Sequence, residues 1–229
     1  MVGADAHRRR RCETLGVNRD RRSWLARLRR AAKGLMISSP GRDGWQRPDA
    51  VIATLAIRSG ERIADLGAGN GYFSTHLAKA TGPTGIVYAV DTDEDMLDAV
   101  EETAAQAGLA NIRPIRADAA GPTLPERVDL AFLCNVYHHL PDQRGYFARL
   151  APHLAPGARV AIVEALPGGL AARLFGHVTP PDQIRDQMHA AGYQRMSAPD
   201  LLAEKARQSF QVFVRTEPAA DGSRPAGRP

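Results

Sequence analysis

Gly67, Gly69 and Gly71 recur at every second position after an apolar run that carries the carboxylate of Asp65, and a helical pattern opens at Tyr72-Phe73. Glycine leaves backbone bare that any side chain would cover, so a strand-to-helix turn of this kind brings amides against a ligand. The free amides and positive end of the following helix suit a carboxylate. Asp65 repels a phosphate and attracts a cation. A dinucleotide fingerprint places its third glycine three residues after the second, whereas here the interval is two. A second acid, Asp91, ends the run Ile86-Val87-Tyr88-Ala89-Val90 twenty residues beyond Gly71. It can accept from both hydroxyls of a ribose. A nucleoside that also carries positive charge answers to all of these, and S-adenosyl-L-methionine, with an ammonium and a sulfonium, fits them better than NAD. Glycines serving only a tight turn give the same spacing.

With these residues in view, the chain resembles the class I S-adenosylmethionine-dependent methyltransferases of small-molecule type, whose first motif reads acidic-x-Gly-x-Gly-x-Gly. The resemblance spans about Trp45 to Arg215. It implies that Asp65, Gly67, Gly69 and Gly71 hold the cofactor and that Asp91 binds its ribose. It also implies that Asp118 and the backbone of Ala119 meet the adenine, and that Asn135 approaches the methionine part, largely through its backbone. Asn135-Val136-Tyr137-His138-His139 is similar to the family's fourth motif, an Asn or Asp followed three residues later by one or two histidines. Imidazole titrates near neutral pH, so His138 is the first candidate general base and His139 the second. A histidine packed against a strand end reads the same way. The activity implied is in-line transfer of a methyl group to a small-molecule acceptor, with S-adenosyl-L-homocysteine as product. Candidate acceptor-pocket residues are Trp45, Tyr137, Glu164 and His177. Trp45-Gln46-Arg47-Pro48 resembles a cofactor-covering segment of one subgroup. The Asn-Pro-Pro-Tyr motif of base and glutamine methylation and the cysteine set of arsenite methylation are both missing.

The elements that must position these residues are legible from periodicity. Runs at 63–66, 86–90, 112–117, 128–134 and 158–164 read as strands, of which 86–90 has the continuous apolar character of burial on both faces, and strand-like segments alternate with helix-like ones. Phe73, Leu77 and Ala80 line one helix, and Met96, Val100 and Ala104 the next. A further helix is expected from Pro141 to His153, with a turn at Pro156-Gly157. Helix 181–191 and strands 193–198 and 209–215 close the domain, an ending that NAD-binding domains lack. The alternation gives an α/β fold with a doubly wound sheet, and the resemblance implies that this sheet is mostly parallel, seven-stranded and Rossmann-like with an antiparallel last strand.

The chain of 229 residues has room for one well-buried core, placed at 41–216 between a basic arm (1–40) and a tail (217–229) of disordered composition. Residues 1 to 36 hold eleven basic against three acidic side chains, a surplus of +8, which leaves −3 for the rest of a chain whose total is +5. The basic charge thus belongs to the arm, which offers a route to nucleic acid or an anionic surface. Translation from Met36 would remove it. A nucleic-acid or protein methyltransferase using the arm, and a non-catalytic cofactor-binding or NAD(P)-binding protein, are the alternative functions. Two cysteines, Cys12 and Cys134, are too few for a disulfide framework or a thiolate metal centre, so no metal is expected. No apolar run is long enough to cross a bilayer, and a cytoplasmic location is expected.

Overall fold

In β4, Val128–Cys134, Leu130 and Phe132 face one hydrophobic cluster while Ala131 and Leu133 face another. Alternation with both sides buried is what a continuous apolar run becomes when helices cover both faces of a sheet. The computed structural model describes residues 41–118, 121–167, 178–204 and 207–216.

Beside β4 lie β1 (Arg62–Leu66), β2 (Ile86–Asp91) and β3 (Ile112–Arg116) on one side. On the other lie β5 (Leu154–Ala165), β7 (Gln208–Arg215) and β6 (Tyr193–Ser197). The order across the seven-stranded sheet is β3-β2-β1-β4-β5-β7-β6. Strands β1 to β5 pair in parallel, and β7 runs antiparallel to both β5 and β6. The antiparallel closing strand expected from the sequence is thus inserted between two others, and β6 takes the edge.

Six helices accompany the strands among the described residues: α1 (Arg42–Gln46), α2 (Pro48–Leu55), α3 (Tyr72–Thr81), α4 (Glu94–Gln106), α5 (Gln143–Leu150) and α6 (Pro181–Ala190). Helices α2 and α6 begin with Pro48 and Pro181, where a missing N–H costs nothing. Asp93 caps α4 by accepting from Asp95 N, and Glu94 and Asp95 add negative charge to its positive end. Asp142 caps α5 by accepting from Gly145 N at 2.9 Å, so that helix starts two residues later than Pro141. It gives way at Ala151–His153 to a 3-10 turn. In α3 the buried face is Phe73, Ser74, Leu77, Ala78 and Thr81, and Ala80 is only half-buried. Thr81 replaces it because its hydroxyl donates to Glu61 O at 2.7 Å.

Val51 and Leu55 of α2 and Phe73 and Leu77 of α3 pack against Ile63, Val87 and Phe132. Phe147 and Leu150 of α5 and Ile184 and Met188 of α6 pack on the opposite face against Val90, Leu133 and Phe213. The chain therefore leaves neighbouring strands β1 and β4 in opposite directions. Such a switch opens a crevice beyond the carboxyl ends of the two strands, where ligands of doubly wound sheets bind.

Candidate functional site

The glycine turn leaves β1 with every glycine at positive φ, 76° at Gly67, 55° at Gly69 and 80° at Gly71. Gly67 N and Ala68 N donate to Val90 O at 2.7 and 3.1 Å, which ties the turn to the end of β2. A Cβ on Gly67 would come within 2.3 Å of Val136 Cγ2, and one on Gly71 within 3.3 Å of Val100 Cα. Two of the three glycines are therefore demanded by neighbouring segments of the protein itself as well as by backbone conformation. Asp91 accepts from Gly69 N at 2.9 Å through one oxygen and from Asp93 N at 3.0 Å through the other. Each oxygen keeps a second lone pair, so ribose hydroxyls can still donate to it.

Asp65 lies inside β1, buried at 2% exposure, on the same face as Ile63. Ser74 of α3 donates to it at 2.6 Å. Burial pushes its acid up to about 7; the Ser74 hydrogen bond and the charge of Arg42 pull downward, and Asp91 pushes further upward. A carboxylate in this condition gains from a cation brought against it.

Beyond β4, Asn135 adopts a left-handed conformation (φ 56°) that asparagine tolerates better than most side chains, and it turns the chain into the 3-10 segment Tyr137–His139. This turn carries His138 to Glu164 at the end of β5. The His138 Nδ1 lies 2.7 Å from Glu164 Oε1, and His138 N and Ala165 N donate to the same carboxylate at 3.3 and 3.1 Å. Two backbone donors mark Glu164 as an acceptor, so the ring places its proton on Nδ1. Burial raises the Glu164 acid, and His138 works against that rise. The Nε2 of His138 is buried and has no hydrogen-bond partner among the described residues. An oriented imidazole with a bare nitrogen is a proton acceptor awaiting a donor.

Residues 63–157, from β1 into β5, match a family model described as a methyltransferase domain. The aklanonic acid methyltransferase DauC of Streptomyces sp. (strain C5) is 35% identical over 107 residues, 46% of this chain and 49% of that one. The tRNA (guanine(6)-N2)-methyltransferase of Thermus thermophilus is 36% identical over 142 residues, 54% of this chain and 42% of that one. A SAM dependent methyltransferase from Aquifex aeolicus shares the fold, with a TM-score of 0.67 at 23% identity over 80% of this chain and 96% of that one. Residues 63–157 thus carry a methyltransferase domain, on a fold shared with the Aquifex aeolicus protein. The chain spans about half the length of these two relatives matched by sequence.

S-adenosylmethionine is the cofactor that the name of the Aquifex aeolicus protein specifies. The residues present fit it: a carboxylate poised for a cation, a second with acceptor capacity left at the end of β2, and a turn that only glycine can form. The structure brings Asp65, Gly67, Gly69, Gly71, Asp91, Asn135 and His138 to one edge of the sheet. Asp118 is exposed and forms a backbone bridge with Gly121. His139 is exposed, its ring 4.0 Å from that of His138, and burial followed by the neighbouring His138 lowers its pKa. Ala119 and His177 lie outside the described residues.

Two substrate candidates are corrected. Tyr137 is wholly buried, stacked 5.7 Å from Phe147, and its hydroxyl donates to Gln187 Oε1 at 2.8 Å. It is a core residue because the 3-10 turn leaves its ring pointing into the sheet-helix interface, among Phe147 and Gln187. Glu164 is likewise buried, and its carboxylate is taken up by His138 rather than by an open pocket. Trp45 sits half-buried on α1.

Sequence reasoning missed the supports around Asn135. Gln46 of α1, fully buried, donates from Nε2 to Gln208 Oε1 at 2.9 Å and to Cys134 Sγ at 3.2 Å. Gln208, at the start of β7, donates in turn to Asn135 Oδ1 at 2.7 Å. An isolated glutamine has no periodic or motif signal, and only its burial could have marked it. Burial also pushes the Cys134 thiol up to about 12, which keeps it neutral.

Proposed function

We propose that the chain transfers the methyl group of S-adenosylmethionine to a hydroxyl or amine of a small molecule, with His138 as general base. The observation that carries this reading is the His138 ring, anchored through Nδ1 on Glu164 and left with a buried Nε2 that no described residue partners. Asp65 holds the cofactor's ammonium, Asp91 its ribose hydroxyls, and the glycine turn with the first amides of α3 its carboxylate. The bound cofactor supplies a methyl group already activated on a sulfonium. In that transfer His138 Nε2 would take the acceptor's proton. Glu164 stabilises the imidazolium that results and holds the ring in place.

Alignment is the larger contribution, since effective molarities of about 10⁵ to 10⁸ M are reached in oriented pairs. A general base adds roughly 10²–10⁴-fold. His138→Gln should therefore lower kcat about a hundredfold or more and leave affinity for S-adenosylhomocysteine within about twofold. Unchanged turnover would remove His138 as the base. A small acceptor is supported by the likeness to DauC, whose name specifies aklanonic acid, and by the charge of −3 on the chain beyond residue 36. A nucleic-acid acceptor is the second reading, favoured by the surplus of +8 in residues 1 to 36 and by the likeness to a tRNA methyltransferase.

A further inference from the structure

Four side chains from three separate parts of the chain form a single file of hydrogen bonds that ends at the crevice. Arg42 Nε donates to Gln46 Oε1 at 3.0 Å, Gln46 Nε2 to Gln208 Oε1 at 2.9 Å, and Gln208 Nε2 to Asn135 Oδ1 at 2.7 Å. An amide can face either way, because its oxygen and nitrogen have nearly the same shape. The guanidinium cannot, since it only donates. Arg42 therefore fixes Gln46 with its oxygen inward and its nitrogen outward. That nitrogen fixes Gln208, and Gln208 fixes Asn135. Both Gln46 and Gln208 are buried, at 0% and 3% exposure, where a reversed amide would set donor against donor. The consequence falls on the last member: with Oδ1 engaged, Asn135 presents its NH₂ outward as a donor.

The surroundings say what such a donor is for. Asn135 precedes Val136, whose side chain closes on Gly67, so it borders the turn that receives the amino-acid end of the cofactor. Asp65, on the same edge, is an acceptor suited to an ammonium. A donor amide held by a relay that begins at a cation complements the other half of a zwitterion. We propose that the Asn135 side-chain amide binds the α-carboxylate of the cofactor, and that Arg42, Gln46 and Gln208 are positioning residues that fix its polarity. This rests on the methyltransferase reading above.

The test is calorimetry with two probes, S-adenosylhomocysteine and its decarboxylated analogue, which keeps the amine. A Gln208→Glu change leaves only acceptors at 208, so Asn135 must reverse and turn its oxygen to the ligand. Affinity for S-adenosylhomocysteine should then fall roughly tenfold or more, the range for a hydrogen bond to a charged group, while affinity for the analogue stays within about twofold. A Gln208→Leu change removes the relay without adding charge. It should give a smaller loss, again confined to the carboxylate-bearing probe, and near-ultraviolet circular dichroism checks that each variant keeps its packing. Equal losses for both probes, or none for either, would overturn the role of Asn135. Failure of the unaltered protein to bind S-adenosylhomocysteine at all would instead overturn the cofactor reading on which the proposal stands.

Discussion

At the scale of single residues, Asp65 is the group whose chemistry depends most on its surroundings. Folding raises its acid from 3.8 to about 7, chiefly by burial. An acid raised in this way holds its proton more tightly folded than unfolded, so its contribution to stability falls as pH rises from about 4 to about 7 and stays at its lowest above that. A ligand ammonium reverses the penalty by pairing with the ionised form. Thermal stabilisation by S-adenosylhomocysteine should therefore grow between about pH 5.5 and about pH 8. Asp65→Asn should flatten that dependence and weaken binding. A stabilisation independent of pH in the unaltered protein would separate Asp65 from the ammonium. The sequence made Asp65 legible because its distance from Gly67 is part of a local motif. It left Glu164 misread, because nothing near Glu164 in the chain announces that His138 folds back onto it.

At the scale of elements, the decisive contact joins two loops that leave adjacent strands. Gly67 has no Cβ, and Val136 fills the space one would take. Gly67→Ala incurs both a left-handed alanine, at roughly 1–2 kcal/mol, and a clash with the valine methyl groups. Chemical denaturation should show a larger loss than the backbone part alone, together with weaker S-adenosylhomocysteine binding. In a Val136→Ala background the loss should shrink toward the backbone part; strictly additive losses would mean that the two loops do not meet. Strand β4, Val128 to Cys134, was readable because burial on both faces leaves the apolar run Leu130 to Cys134, which only Asp129 separates from Val128. Helix ends were less readable. Asp142 rather than Pro141 sets the start of α5, since a side-chain cap outcompetes a proline as the starting signal when it can reach the third amide beyond it.

At the scale of the whole molecule, charge is segregated along the chain, +8 in the first 36 residues and −3 in the remainder. Phosphate contacts release counterions, so any hold on nucleic acid through the first segment must weaken as salt rises. Filter binding with bulk tRNA should show retention that falls steeply with salt and that disappears when residues 1 to 36 are deleted, with S-adenosylhomocysteine affinity unchanged. Retention that survives the deletion would place a basic face on the domain itself and favour the nucleic-acid reading. Within the domain, the doubly wound order puts the β1 and β4 loops side by side, and the insertion of β7 brings Gln208 next to them.

The amino-acid sequence alone determined the glycine turn, the two strand-end acids and the strand buried on both faces at 86–90, because each is written within a few neighbouring residues as a spacing or a period. The pairing of His138 with Glu164, the withdrawal of Tyr137 into the core and the file from Arg42 to Asn135 were decided only by the tertiary structure. Those contacts join residues 26, 50 and up to 162 positions apart. Their partners are chosen by where the sheet order brings chain segments together, and no local pattern encodes that.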